Sequence, residues 1–395
     1  MSETIASPPK IKLKTAATGL RPWVYRKMVE RSREIPDGSL VALESRDGAI
    51  VGHGFYSSRS QIGVRVLRWG ADPVDEAFLR RRIRDAVYLR RKVLSLDAVT
   101  DAYRVVNSEG DELSGLIVDR YADVASVEIN ALAWYERLEL VESVLREELP
   151  VSRVVVHVSE KAAVAEGIRV AARPQDEGAA AVIRERGLRF HVDFSKGHKT
   201  GAFLDQRDNR QWLAQFVESR DVLDCCTYQG GFAIAASVLG KAGRVTGVDL
   251  DEEAIELAKR NAKLHQAPRL EFVHADAFDY LREVQTGKRR YDVVVLDPPK
   301  LAPSMGELPR AAAKYTDLNE LGMKALKNHG LLFTCSCSGL VSEEMFLGLL
   351  RKAAARAGKR MRILGIRGAA PDHPVAPHFP EGRYLKAVLA SVEEL

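Results

Sequence analysis

A doubly wound α/β fold is the class this sequence predicts for its C-terminal half, and three observations predict it. From Val222 onward, strand-like and helix-like segments alternate strictly. The strand segments are continuously apolar, as in a parallel sheet covered on both faces. Three successive strands end in the acids Asp224, Asp249 and Asp276, and a fourth in Asp297. Sheets of this kind bind ligands beyond the carboxyl ends of their strands.

A chain of 395 residues exceeds one ordinary core, so two or three units are expected. Residues 1–72 read as short strands and turns, with alternating apolar residues on either side of the Arg46-Asp47-Gly48 turn, and predict a small β-barrel ending near Gly70. This segment carries 12 Lys+Arg against 7 Asp+Glu, while the whole chain has net charge +5. Either an anionic partner or solvated surface charge accounts for it. Residues 73–190 predict an α+β unit. It opens with DEAFLRRRIRDAVYLRRKVL, where Phe78, Leu79, Ile83, Val87 and Leu94 recur at helical spacing. Arg80, Arg81, Arg82, Arg84, Arg90, Arg91 and Lys92 fill its other faces, which reads as a strongly basic side. A β-meander over 102–130, a helix in WYERLELVESVLREEL and a strand in SRVVVHVS complete that unit.

Residues 191–395 form the third expected domain. DVLDCC opens the series, followed by the helix FAIAASVLG, RVTGVDL, DEEAIELAKRNAKLH, LEFVHA, AFDYLREVQ, YDVVVLD, a helix over 317–325, GLLFTCS, a helix from Ser342, MRILGI and RYLKAVLAS. No window holds the eighteen apolar residues of a membrane helix, and the N-terminus lacks the apolar core of a signal peptide. The expectation is a cytoplasmic protein without a membrane partner. Its four cysteines come as two pairs, Cys225 with Cys226 and Cys335 with Cys337, which is not a secreted disulfide framework.

The turn after the first of these strands, CCTYQGG, sets Gly230 and Gly231 before a helix, where a ligand can approach the backbone closely. The G-x-G-x-x-G spacing of dinucleotide sites is absent, which disfavours a nicotinamide cofactor. Asp249, beside Leu250, follows Asp224 by 25 residues, a position from which a carboxylate can accept from both ribose hydroxyls. Asp276, followed by Ala277 and Phe278, is placed to address an adenine amino group. Each acid alone reads as a helix N-cap; together they point to a ligand. In Asp297-Pro298-Pro299-Lys300 two prolines remove donors and stiffen the loop that carries Asp297.

LDCCTYQGG, GVDLDEEAIELAKRNA, ADAF, LDPPK and TCSCSG, with GHKTGAFLDQRDNR upstream and DHPVAPHFPEGRYLK downstream, resemble the bacterial large-subunit ribosomal RNA cytosine-5 methyltransferases of the RlmI type. The likeness runs along nearly the whole chain, since RPWVY near residue 21 resembles that family's N-terminal PUA module. It implies a seven-stranded Rossmann-like class I domain that binds S-adenosylmethionine (SAM), and a cysteine nucleophile on the strand after DPPK. That nucleophile aligns with Cys337.

Cytosine C5 is a poor nucleophile, and a thiolate adding at C6 builds carbanion character at C5. Asp297 would bond the cytosine N3 or N4 edge. Residues two apart share a strand face, so Cys335 is expected to pack beneath Cys337. In the usual strand order for such a sheet the cysteine pairs lie about 9 to 10 Å apart. That is too far for zinc, with Zn–S near about 2.3 Å, or for a disulfide. Lys199, Phe203, Gln206 and Arg207 resemble the segment that crosses the cofactor's carboxylate end, with Tyr228, Gly230 and Gly231 lining the methionine moiety and Phe278 stacking on adenine or packing in the core. The implied partner is 23S ribosomal RNA, held by the barrel and by Arg80, Arg81, Arg84, Arg90 and Lys300, and the resemblance also implies a homodimer. Water, Asp297 or Cys335 would take the C5 proton. Two rivals stay open: methylation of an exocyclic amine, though Lys300 fills the slot of the stacking aromatic that such enzymes place after D-P-P, and a degenerate protein that binds RNA without catalysis.

Overall fold

The structure is a computed structural model that describes residues 8–15, 20–30, 32–173, 180–194, 202–267, 269–287 and 289–395. Two compact units divide it. The first draws on Met1–Ile183, Val192–Ala202 and Pro371–Gly382, the second on Arg184–His191, Phe203–Ala370 and Arg383–Leu395. Residues expected as barrel and middle domain thus share one unit, and Pro371–Gly382 joins them.

In the first unit, β1 (Lys10–Lys12), β2 (Trp23–Tyr25), β3 (Leu40–Glu44), β4 (Ile50–Tyr56) and β5 (Ile62–Trp69) form a sheet of order β1-β3-β4-β5-β2. A bridge between Leu13 and Val29 joins its two outer strands, with Lys14 N donating to Met28 O at 2.8 Å and Glu30 N to Lys12 O at 2.9 Å. This contact brings the two ends of the sheet together in the manner of a small barrel. Ile11, Val24, Val41, Leu43, Val64 and Val66 fill the interior. The predicted hairpin turn is present, with Gly48 at φ +87°.

Helix α1 (Glu76–Tyr88) starts at Asp75, whose carboxylate accepts from Phe78 N at 2.7 Å, and it buries Phe78, Leu79, Ile83 and Val87 as its periodicity predicts. The meander is β6 (Ala102–Asn107), β7 (Leu116–Tyr121) and β8 (Val124–Ile129). The single helix expected next is two, α2 (Leu132–Glu136) and α3 (Leu138–Glu148). The break falls at Arg137, which leaves helical geometry and turns its guanidinium back to Ala133 O at 3.0 Å and over the Phe55 ring. Strand β9 (Arg153–His157) pairs parallel to β8, and α4 (Glu160–Glu166) follows. A hairpin of β10 (Ala180–Glu185) and β11 (Leu188–Asp193) turns at Arg186 and Gly187, both at positive φ.

The arginine-rich segment is far less basic than its sequence suggests. Arg80 pairs with Glu76 and Glu147, Arg82 with Glu112, Arg84 with Glu147 and Glu148, and Arg91 with Asp97. The expectation that Arg90 faces RNA is corrected. Arg90 is 0% exposed in a π-helical turn (Leu89–Val93); it makes a two-pronged pair with Asp111, at 2.6 and 2.8 Å, and donates to Asp372 O at 2.7 Å. A periodicity argument assigns faces along one helix and is blind to a buried acid 21 residues away. Arg90→Met should destabilise the protein by about 3–5 kcal/mol, because Asp111 would be left buried without its partner. Chemical denaturation would measure this.

The second unit begins with α5 (Arg207–Ala214) and continues as β12 (Asp221–Cys225), α6 (Gly231–Val238), β13 (Arg244–Asp249), α7 (Glu252–Lys263), β14 (Leu270–His274), α8 (Ala277–Thr286) and β15 (Tyr291–Leu296). It ends with α9 (Leu308–Lys324), β16 (Leu326–Ser336), α10 (Glu343–Ala357), β17 (Lys359–Arg367) and β18 (Lys386–Glu394). The sheet has seven strands in the order β14-β13-β12-β15-β16-β18-β17. All neighbours pair parallel except β18, which runs antiparallel to both β16 and β17. Val294 and Leu296 pack in one core while Val293 and Val295 pack in the other, so both strand faces are covered and the apolar run is unbroken. Among the described residues, no helix is long and apolar enough to cross a membrane.

Candidate active site

Parity along two neighbouring strands decides which side chains meet. Asp297 follows Val293 and Val295 on one face of β15; on β16, Cys335 follows Leu331 and Phe333 on the same face. The parallel register pairs Leu296 with Thr334, so the next residues, Asp297 and Cys335, stand side by side. The Cys335 thiol is near enough to the Asp297 carboxylate to feel its charge. Gln206 Nε2 donates to Asp297 Oδ1 at 3.0 Å, and its own Oε1 accepts from Asn209 Nδ2 at 2.7 Å. Burial and the negative charge of Asp205 push Asp297 up to about 7, although the residue as a whole is only partly buried.

Cys335 is 0% exposed beneath the partly exposed Cys337, and burial with the Asp297 charge drives its thiol well above the usual range. The Cys337 Sγ lies 3.9 Å from Pro298 O. A hydroxyl network fixes the loop on either side of it. Ser336 Oγ donates to Tyr315 OH at 3.0 Å, Tyr315 OH lies 3.0 Å from Ser338 Oγ, and Ser338 Oγ accepts from Ala302 N at 3.2 Å.

Across the sheet, the turn from β12 to α6 holds Cys226 at φ +61°, Tyr228 at +49° and Gly230 at +84°. Left-handed Cys and Tyr are costly and persist only where the surroundings over-determine them. Thr227 N donates to Val248 O at 3.0 Å, Tyr228 N to Asp249 Oδ2 at 2.8 Å, and Asn261 Nδ2 to Gln229 O at 3.1 Å. Asp224 works from below. Its Oδ2 accepts from Thr227 Oγ1 at 2.5 Å and Ala233 N at 3.0 Å, and the residue is 0% exposed with its carboxyl pushed up to about 7 by burial. The expectation that Asp224 touches a ligand is corrected: a carboxylate sunk under the turn shapes it instead.

Asp249 is half-buried, its second oxygen accepting from Asp251 N at 3.0 Å, with Leu250 exposed beside it. Asp276 caps α8 through Phe278 N at 2.8 Å and Asp279 N at 3.1 Å, ahead of buried Ala277 and half-buried Phe278. Burial and then Asp249, Asp297, Asp224 and Asp276 all push the Cys226 thiol up, which makes that residue the hub of the four predicted acids. Phe203 is exposed and meets Tyr228 edge-on at 5.1 Å. Arg207, expected at the cofactor's carboxylate end, is instead a buried guanidinium, its Nε donating to Asp208 at 3.2 Å. Lys199 lies outside the described residues. Lys300 is exposed next to the prolines.

Sequence reasoning missed three residues here. Asp205 accepts from Tyr384 OH at 2.6 Å and keeps a buried Oδ1 without a partner. Lys386 is buried behind Ser338. The DQR and RYLK motifs contained all three, but nothing in their spacing showed that they meet.

Comparisons with known proteins place these features in a group. A family model for S-adenosylmethionine-dependent methyltransferases matches residues 172–356, and one for PUA-like domains matches residues 14–69. The ribosomal RNA large subunit methyltransferase I of Aeromonas salmonicida is 37% identical over 379 residues, covering 93% of this chain and 94% of that one. The protein of the same name from Vibrio vulnificus is 35% identical over 383 residues, covering 94% and 95%. Among solved structures, one from Streptococcus mutans assigned as a SAM-dependent methyltransferase aligns with TM-score 0.80 at 20% identity, over 97% of this chain and 100% of that one. At that identity the likeness speaks for the fold.

Proposed function

The chain belongs to the ribosomal RNA large subunit methyltransferase I family, and from that premise we propose that it methylates C5 of a cytosine in large-subunit ribosomal RNA through a transient bond from Cys337 to C6. The observation that carries this reading is the partly exposed Cys337 thiol standing 3.9 Å from Pro298 O, the residue after Asp297, at the ends of two adjacent strands.

SAM, when bound, supplies an electrophilic methyl group. The residues at the sheet's carboxyl edge fit it. Asp249 and Asp276 retain acceptor lone pairs for hydroxyl and amino groups, and Tyr228, Leu250 and Phe278 offer apolar surface. Gly230 sits where a Cβ would come within 2.9 Å of Phe272, so the turn is shaped around the absence of a side chain. Gly230→Ala should weaken SAM binding roughly tenfold, the equivalent of the ~1–2 kcal/mol cost of left-handed geometry. Isothermal titration would read it.

The protein's own groups then divide the work. The Cys337 thiolate adds its electron pair to C6 of a cytosine turned out of its stack. Asp297, protonated, donates to the N3 edge and so balances the negative charge that builds on the ring. After C5 is alkylated its proton leaves to water or to Asp297, and the Sγ–C6 bond breaks to restore the thiolate. Cys335, fully buried beneath Cys337, is poorly placed to take that proton. Arg80, Arg81, Arg84 and Lys300 are offered as phosphate contacts, with Arg81 lying over the Phe78 ring rather than in an acid pair. The test is nucleoside analysis of methylated RNA. 5-Methylcytidine is expected, and an N-methylated product would overturn the reading.

A further inference from the structure

Lysine is rarely buried unless it is paired. Lys386 is 4% exposed at the start of β18, where the antiparallel register sets it opposite Ser336, one residue before Cys337. Its ammonium donates to Ser338 O and to Tyr384 O, both at 2.8 Å. Those acceptors are neutral carbonyls. Among the described residues no acid forms an ion pair with Lys386. An ammonium has three donors, so one N–H and a whole positive charge are left over in a buried place.

We propose that Lys386 is a positioning residue whose ammonium serves as the counter-ion of the Cys337 thiolate, holding the sulfur ionised before any RNA arrives. The inference rests on the cytosine-C5 reading only for its purpose; the ion pair itself can be tested without RNA.

The charged and titratable groups around the pair agree with it. Facing Cys337 are Cys335 on β16, Tyr315 on α9 and Lys386 on β18; facing Lys386 are Cys337 and Glu343 of α10. Cys335 and Tyr315 both titrate above their usual range, so neither is charged near neutral pH. Burial lowers Lys386 to about 8, while the nearby sulfur anion works in the opposite direction. Each member of such a pair favours the charged form of the other. Ionisation needs no further reactant: the thiol proton passes to solvent, and elimination from C6 returns the thiolate to the same ammonium.

The decisive experiment is the pH dependence of iodoacetamide alkylation of the full-length protein, read at the Cys337 peptide by mass spectrometry. In the wild type the half-maximal rate should fall below the roughly 8.5 of a free thiol. Lys386→Met should move that midpoint up by about one pH unit or more and slow alkylation near pH 7 about tenfold, and Lys386→Arg should recover part of the shift. The pH profile of kcat/KM should move with it while SAM affinity holds. Superimposable alkylation profiles for wild type and Lys386→Met would overturn the proposal and leave Lys386 as a tie between two carbonyls. Should Lys386→Met fail to fold, the wild-type midpoint decides alone, and a value at or above that of a free thiol sinks the ion pair. If Cys337→Ala still methylates RNA, the C5 reading fails, yet the alkylation shift still reports on Lys386.

Discussion

Cys337→Ala is expected to abolish methylation, with a loss of about 10⁴-fold or more, and to leave SAM affinity within about twofold. Removing a covalent nucleophile costs on this scale because no remaining group can open the same route. The site makes the two readouts separable. Cys337 stands at the end of β16 over Pro298 O, while the turn from Cys226 to Gly230 and the acids Asp249 and Asp276 belong to β12, β13 and the start of α8. Alanine at 337 removes one partly exposed sulfur and disturbs neither the Tyr315–Ser338 network nor the Lys386 bonds, which use other atoms. Methyl transfer from radiolabelled SAM to RNA, with calorimetry for binding, checks both halves. RNA carrying 5-fluorocytidine should form a stable adduct with the wild type and none with Cys337→Ala.

Asp297→Asn is the second large effect, and it should act in opposite directions on rate and stability. Activity should fall about 10²- to 10³-fold, since an amide cannot transfer the proton that balances charge on the ring. Stability should rise above neutral pH. Burial, and then the Asp205 charge, raise the Asp297 carboxyl from 3.8 to about 7. Between those two values the folded state binds a proton that the unfolded chain has lost, so wild-type stability falls as pH climbs from about 4 to about 7. The amide removes that penalty. Its gain in melting temperature should be near zero at pH 4, grow through that interval and level off above pH 7. Gln206 can still donate to the amide oxygen, which keeps the local geometry. A melting temperature that does not rise at pH 8 would contradict the assignment of Asp297 as a group held against its own ionisation. Asp224 is raised to about 7 by its own burial and gives the wild type a second contribution in the same window.

Much of the second unit was legible because its signals are local. Continuous apolar runs such as YDVVVLD reflect two covered faces, and Asp251, Asp276 and Ser342 cap their helices by bonds that reach three residues or fewer. The paired cysteines at the end of β16 were read correctly as one buried and one partly exposed, because alternation along a strand is fixed by backbone geometry. The antiparallel insertion of β18 was not legible, since apolar periodicity carries no direction.

What the sequence determined by itself was the order of strands and helices, the acids at the strand ends and the shared face of Cys335 and Cys337, each set by spacing within a few residues. Tertiary structure alone decided that Arg90 turns inward to Asp111, that Asp224 braces a turn, and that Tyr384 and Lys386 return to Asp205 and the Cys337 loop. The physical reason is range. Periodicity and capping are written in neighbouring residues, whereas the sign and depth of a charge depend on which distant groups folding brings within a few ångströms of it.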